Sequence, residues 1–194
     1  MKAVSKETIL LSPIGDFDAD ILHAVEAMVP DVFSLLCHIQ PLIDNIDFAW
    51  DARRRQFHST VILEELSANA PLNAHKIIAL THHDLFIPIL THVYGEAQLG
   101  GRSSIVSTCR LADGISVVSR RATYLMRIVK ETAHELGHTF DLRHCKDNRC
   151  LMHYCRSIGD VDTKTGQFCR YCRVLLSDHL KKIRSQSPTA LKKN

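Results

Sequence analysis

Residues 133–155, AHELGHTFDLRHCKDNRCLMHYC, hold four histidines, three cysteines and a single glutamate. Side chains of these types close on metal ions, and an ion shared at fixed spacing dictates the backbone between its ligands. His134 and His138 stand four residues apart. On an α-helix that spacing leaves ~40° between them and a rise of ~6 Å, so both imidazoles leave one face and can share one ion. Glu135 lies one step round, close enough to touch a water on that ion without taking a coordination position. A catalytic zinc takes three protein ligands and keeps a further position for water, so a third ligand is expected. Asp141 and His144 are the candidates. In an unbroken helix Asp141 would sit ~10 Å along the axis from His134, and His144 would point about 240° round from His138. His144 becomes a ligand only if the helix breaks first, as a residue in left-handed conformation allows.

Four cysteines follow a second pattern. Cys145 and Cys150 enclose four residues, and Cys169 and Cys172 enclose two. Paired spacing of this kind suits a closed, structural zinc site. Spacing alone also admits Cys155 in place of Cys145. The surrounding segment has little apolar periodicity, so an ion there would replace a core.

The rest of the chain narrows the class. Its 194 residues suit one compact domain, and 45% hydrophobic against 23% charged content is ordinary for a globular protein. A formal charge of +3 is small, and the clusters Arg53-Arg54-Arg55, Arg120-Arg121 and the 181–193 tail read as solvated faces. With no aromatic-basic stripe, a nucleic-acid module built on the cysteines and the tail is disfavoured. The opening MKAVSKETILLSP has too short an apolar run for a signal peptide, and no window approaches the ~18 apolar residues of a membrane span. Seven cysteines without an export signal point to reduced thiols in the cytoplasm. A monomer is expected.

Strands and helices alternate along the first 140 residues. ETILLSPIG reads as a buried strand, followed by a helix capped by Asp16 with Phe17, Ile21, Leu22, Val25 and Met28 inward. DVFSLLCHI, after Pro30, reads as a second strand, FHSTVILEELSANA as a helix, and HKIIALTHHDLF as a strand entering a loop. Residues 91–111 give two strand-like runs around Gly100-Gly101. Residues 119–140 form a long helix with Tyr124, Leu125, Ile128 and Val129 inward. Beyond Asp141 periodicity lapses until a last helix over 171–183, and the SQSPTALKKN tail is expected to fray. The fold class is α/β (α+β): a mixed twisted sheet against long helices. One domain spans 1–194, with an N-terminal lobe (1–140) and an irregular, zinc-braced C-terminal lobe (141–194).

HELGHTFDLRH resembles the metzincin signature HExxHxxGxxH, which is accompanied by a Met-turn. The continuation HCKDNRCLM and the later FCRYC narrow the likeness to the archaemetzincin family, over residues 133–172. This resemblance implies a zinc metallopeptidase with a catalytic zinc on His134, His138 and His144, and Glu135 as general base. It implies a second, structural zinc on Cys145, Cys150, Cys169 and Cys172, leaving Cys155, Cys37 and Cys109 free. Met152 matches the Met-turn, an apolar floor beneath the histidines. Met152-His153-Tyr154 also resembles the astacin turn, in which the tyrosine can stabilise the transition state, but bulk packing is the favoured role of Tyr154. His92, Val93, Tyr94, Gly95, Glu96 and Ala97 resemble the metzincin edge strand, onto which a peptide substrate can add. In one position the chain departs from the family: Asp141 stands where glycine is usual. Aspartate visits the left-handed region more readily than most residues, at a cost on the order of 1 kcal/mol. Fold and motif do not by themselves prove turnover, so a zinc-bearing peptide-binding protein on the same fold is the alternative.

Overall fold

The computed structural model describes residues 8–115 and 120–186. The central strands are buried on both faces, which suits parallel strands covered by helices on each side. Strands β1 (Thr8–Ile14) and β8 (Ser103–Ser107) are buried at every position, and β5 (Ala74–Thr81) at every position but His75. With β2 (Leu36–Ile39) and β7 (Gly95–Ala97) they form a five-stranded sheet in the order β2-β1-β5-β8-β7. Only β7 runs antiparallel to its neighbour, with Glu96 opposite Ile105. A second, small sheet joins β3 (Trp50–Asp51), β4 (Gln56–His58) and β6 (Leu85–Phe86).

Alternation along the strands divides the core. Ile9, Leu11, Ile78, Leu80 and Val106 face the long helices α1 (Ala19–Phe33) and α3 (Arg120–Thr139) and the last helix, α5 (Arg170–Gln186). Leu10, Ile77, Ala79 and Ile105 face α2 (Ser59–Ala68), which buries Ile62, Leu63 and Leu66 against them. The sheet is thus the middle of three layers, and α3 carries HExxH along the side next to β7 and β8.

Three local expectations need correction. Asp18, not Asp16, occupies the N-cap of α1, and its side chain makes no capping bond. Residues 31–33 belong to α1, which continues through Pro30, so the second strand begins only at Leu36. The proline sits within one turn of the helix end and removes a single hydrogen bond. Against that loss, Phe33 is fully buried, with its ring 5.3 Å from Phe140 and 6.0 Å from Phe168. Ser34, at φ 55°, then ends the helix and donates its amide to Pro30 O. The C-terminal lobe is also more regular than its sequence suggests. It contains α4 (Ile158–Thr163), opened by a reciprocal capping box between Ser157 and Asp160. The last helix spans 170–186, slightly longer than expected. Residues 1–7, Ser119 and the end of the tail lie outside the described residues.

Candidate active site and metal centres

Helix α3 is continuous from Arg120 to Thr139, so His134 and His138 project from one face as their spacing requires. The chain then turns sharply. Leu142 donates its amide to Gly137 O and Asp141 donates to His138 O, the paired bonds of a Schellman motif. Asp141 has φ 62°, so an aspartate does hold the left-handed position at the helix end. The turn brings His144 back to the helix, its Nε2 3.2 Å from that of His138. His134 Nε2 lies 3.2 Å from the same atom.

Three imidazole nitrogens converging in this way fit one zinc ion, because Zn–N bonds of ~2.0–2.1 Å in a tetrahedron imply N···N edges of about 3.3 Å. The opposite ring nitrogens are tied down: His134 Nδ1 to Leu151 O at 2.9 Å and His138 Nδ1 to Leu142 O at 2.7 Å. Those bonds fix the tautomer with Nε2 as the free donor atom. Burial lowers the pKa of all three histidines, that of His138 to about 4, so the rings stay neutral.

Below the histidines Met152 is fully buried and packs against the helix at Gly137. A Cβ at Gly137 would lie 2.5 Å from Met152 Sδ, so glycine lets the thioether approach this closely. Glu135 is buried, and its carboxyl is pushed well above the usual range by burial and by the charge of Glu131. It leans on the backbone of β7: a Cβ at Gly95 would fall 2.6 Å from Glu135 Cγ and 2.7 Å from Ile105 O. Glycine at 95 is therefore what permits the edge strand and the glutamate to be neighbours.

The expected edge strand is shorter than the 92–97 segment suggested. Only Gly95, Glu96 and Ala97 pair with β8, while Val93 forms an isolated bridge to Leu85 and Tyr94 O accepts from the amide of Ser107. His92 to Ala97 nonetheless all line one cavity of about 720 Å³ that also contains the three histidines, Glu135 and Tyr154. The Tyr154 ring centroid lies 4.9 Å from that of His144.

Cys145, Cys150, Cys169 and Cys172 place their sulfurs within 4.8 Å of one another, whereas Cys155 stands apart, its Sγ directed to His153 O. Cys145 Sγ and Cys169 Sγ are 3.8 Å apart. Zn–S bonds of ~2.3 Å in a tetrahedron imply S···S edges of about 3.8 Å, so this set also fits an ion. Burial opposes ionisation of Cys169, but hydrogen bonds from the Cys172 amide and the adjacent thiols prevail and lower its pKa. Burial raises Cys150 and Cys172.

One feature escaped the sequence reading. Lys164, at the C-cap of α4, is completely buried with its Nζ 2.6 Å from Glu131 Oε1, itself only 3% exposed. Arg127 pairs with Asp162 at 2.8 Å and Lys130 Nζ donates to Val161 O, so α4 is strapped along α3 just ahead of HExxH. Glu131 could have been suspected, because it stands one helical turn before Glu135 on the same face. Lys164 has no such local signal.

Comparison with known proteins agrees with this geometry. A sequence model described as peptidase family M54 matches residues 53–178. The archaemetzincin of Methanocaldococcus jannaschii is 34% identical over 171 residues, covering 88% of this chain and 93% of that protein. The crystal structure of archaemetzincin from Methanopyrus kandleri superposes with a TM-score of 0.82 at 30% identity, covering 93% of this chain and 99% of that one. A zinc-dependent peptidase from Methanocorpusculum labreanum gives a TM-score of 0.75 at 26% identity, over 87% of this chain and 99% of its own. From its sequence and its fold alike, the chain belongs to peptidase family M54, the archaemetzincins, and is a zinc metallopeptidase.

Proposed function

We propose that the protein hydrolyses peptide bonds with Glu135 as general base, and that it carries two zinc ions, one held by His134, His138 and His144 and one by the four cysteines. The observation that carries this reading is the convergence of three Nε2 atoms, 3.2 Å apart along two edges, in the same cavity as a buried glutamate. A zinc ion on the histidines would supply Lewis acidity, acidifying a water and polarising the scissile carbonyl. Glu135 then accepts the proton of the attacking water and delivers it to the leaving amine. A substrate in extended form lies along β7, whose outer edge is unpaired among the described residues and offers backbone donors and acceptors. Tyr154 lines the same cavity and is the group we assign to the developing charge on the carbonyl oxygen.

The four cysteines supply a full set of four ligands, which would leave an ion no position for water, and the site serves as a brace. Cys145 is joined to Met152 by an amide-to-carbonyl bond of 2.8 Å, so the cysteines hold the methionine floor and His144 together. The protein acts on peptides as a monomer in the cytoplasm. Among the described residues no helix is long and apolar enough to cross a membrane.

Metal analysis combined with a peptide screen tests the reading. Two zinc ions per reduced chain are expected, with chelator-sensitive cleavage that Glu135→Gln abolishes while zinc is retained. One ion per chain, or cleavage by Glu135→Gln at the wild-type rate, would overturn it.

A further inference from the structure

The carboxylates and the guanidiniums of the catalytic cavity are treated differently by the fold. Glu96 accepts from the hydroxyls of Ser59 and Thr60, and Glu131 is paired with Lys164. Glu135 is committed to the proton transfers above. Arg143 and Arg156 also line the cavity, are exposed, and have no side-chain hydrogen bond or ion pair among the described residues. Arginines that flank the cavity show that this is not a general property of the region. Arg54 donates to Leu90 O and Pro88 O, and Arg110 forms a two-bonded pair with Asp84.

Position adds to the contrast. Arg143 immediately precedes His144, and Arg156 follows Tyr154 by two residues, with the Tyr154 and His144 rings 4.9 Å apart. Consecutive Cα atoms are about 3.8 Å apart, so both guanidiniums spring from backbone within one or two residues of side chains at the metal centre. The arginine stem is long enough for each head to reach the neighbourhood of a bound peptide, one or two residues from the bond being cut. A guanidinium presents a planar fork that matches a carboxylate in two parallel hydrogen bonds.

Resting on the peptidase reading, we propose that Arg143 and Arg156 make the enzyme selective for peptides that place a carboxylate within one or two residues of the scissile bond. The carboxylate belongs either to an aspartate or glutamate side chain or to the free C-terminus of a short peptide; the recognition chemistry is the same. The apolar part of the cavity wall, with Leu90, Val93 and Leu99, accepts the uncharged remainder of the peptide.

The test uses the zinc-loaded full chain. A diverse peptide mixture is digested and the cut sites are read by mass spectrometry. One cleaved peptide is then remade with aspartate, alanine or lysine at each position flanking the cut, and with a free or amidated C-terminus. The carboxylate-bearing forms are expected to be cleaved about tenfold more efficiently, with the difference mainly in KM and reduced at high salt. Arg143→Ala and Arg156→Ala, each checked for full zinc content, should flatten that ratio, and Arg156→Glu should turn it toward lysine. If amidation alone removes the preference, the C-terminal carboxylate is the group recognised; if side-chain replacement alone removes it, the acidic side chain is. Cleavage with no carboxylate preference, or a preference unchanged in both alanine variants, would overturn this inference and leave the peptidase reading intact. No cleavage of any peptide by zinc-loaded protein would overturn both.

Discussion

Cys145 donates its backbone amide to Met152 O at 2.8 Å, so the residue that follows the third histidine is fastened to the methionine under the other two. His153 closes the same loop from the other side, its Nδ1 3.1 Å from Cys145 O. His144 and Cys145 are consecutive yet join different clusters, and neither can move without the other.

Coupling between the two centres is the first expected outcome. Cys169→Ser removes a sulfur 3.8 Å from Cys145 and should loosen the backbone from which His144 reaches its ion. Outer supports of this type change metal affinity by about 10–100-fold, and a loss in that range is expected at the histidine site. Cys155→Ser, outside the cluster, should leave both affinities unchanged. Competition titration with a chromogenic chelator measures each; equal histidine-site affinity in folded Cys169→Ser and wild type would refute the link.

Gly95→Ala should impair catalysis without loss of zinc. The added Cβ would meet Glu135 Cγ at 2.6 Å and Ile105 O at 2.7 Å, so either the glutamate or the strand must shift. A displacement near 1 Å at reacting groups costs on the order of 100-fold in rate. Steady-state kinetics with parallel metal analysis checks this, and a kcat within twofold of wild type would show that the contact can relax.

The buried pair under the cavity predicts a stability effect. Lys164→Met leaves Glu131 enclosed without its 2.6 Å partner. Removing one member of a buried pair costs about 3–5 kcal/mol, whereas replacing both by apolar groups is often nearly neutral. Denaturant unfolding should therefore show a large loss for Lys164→Met and substantial recovery in Lys164→Met/Glu131→Leu. A double variant no more stable than the single one would contradict the pairing.

Acid should destabilise the metal-free protein. Burial, first of all, depresses His75 and His138 to about 4 from the ordinary 6.5. Between those values the unfolded chain binds protons that the folded one does not, so stability is complete above about 6.5 and falls as the pH drops toward about 4. Unfolding of chelator-treated protein from pH 7.5 to 4.5 should show this slope. His75→Phe should reduce it, because that position would no longer take up a proton on unfolding. A slope unchanged in His75→Phe would mean that this ring is not held neutral in the folded chain.

The sequence discloses the histidine centre so fully because its determinants are local. His134, Glu135 and His138 need only a helix, and Asp141 needs only a left-handed turn, which it adopts at φ 62°. The cysteine set depends on two short spacings and on the family pattern that separates Cys145 from Cys155. What stays hidden depends on distant segments meeting. Lys164 reads as an ordinary surface lysine until α4 is laid along α3, and α1 reads as ending at Pro30 until Phe33 is seen between Phe140 and Phe168. The Ser157–Asp160 capping box was legible in principle, but it opens a helix of only six residues, too short for periodicity to register.

The five-stranded sheet ends in strands of four and three residues, β2 and β7. A long, flat border would act as a template for neighbouring copies to stack upon, the first step toward insoluble aggregates. Three residues give such growth little purchase. The same brevity limits how many backbone bonds any segment added at β7 could make.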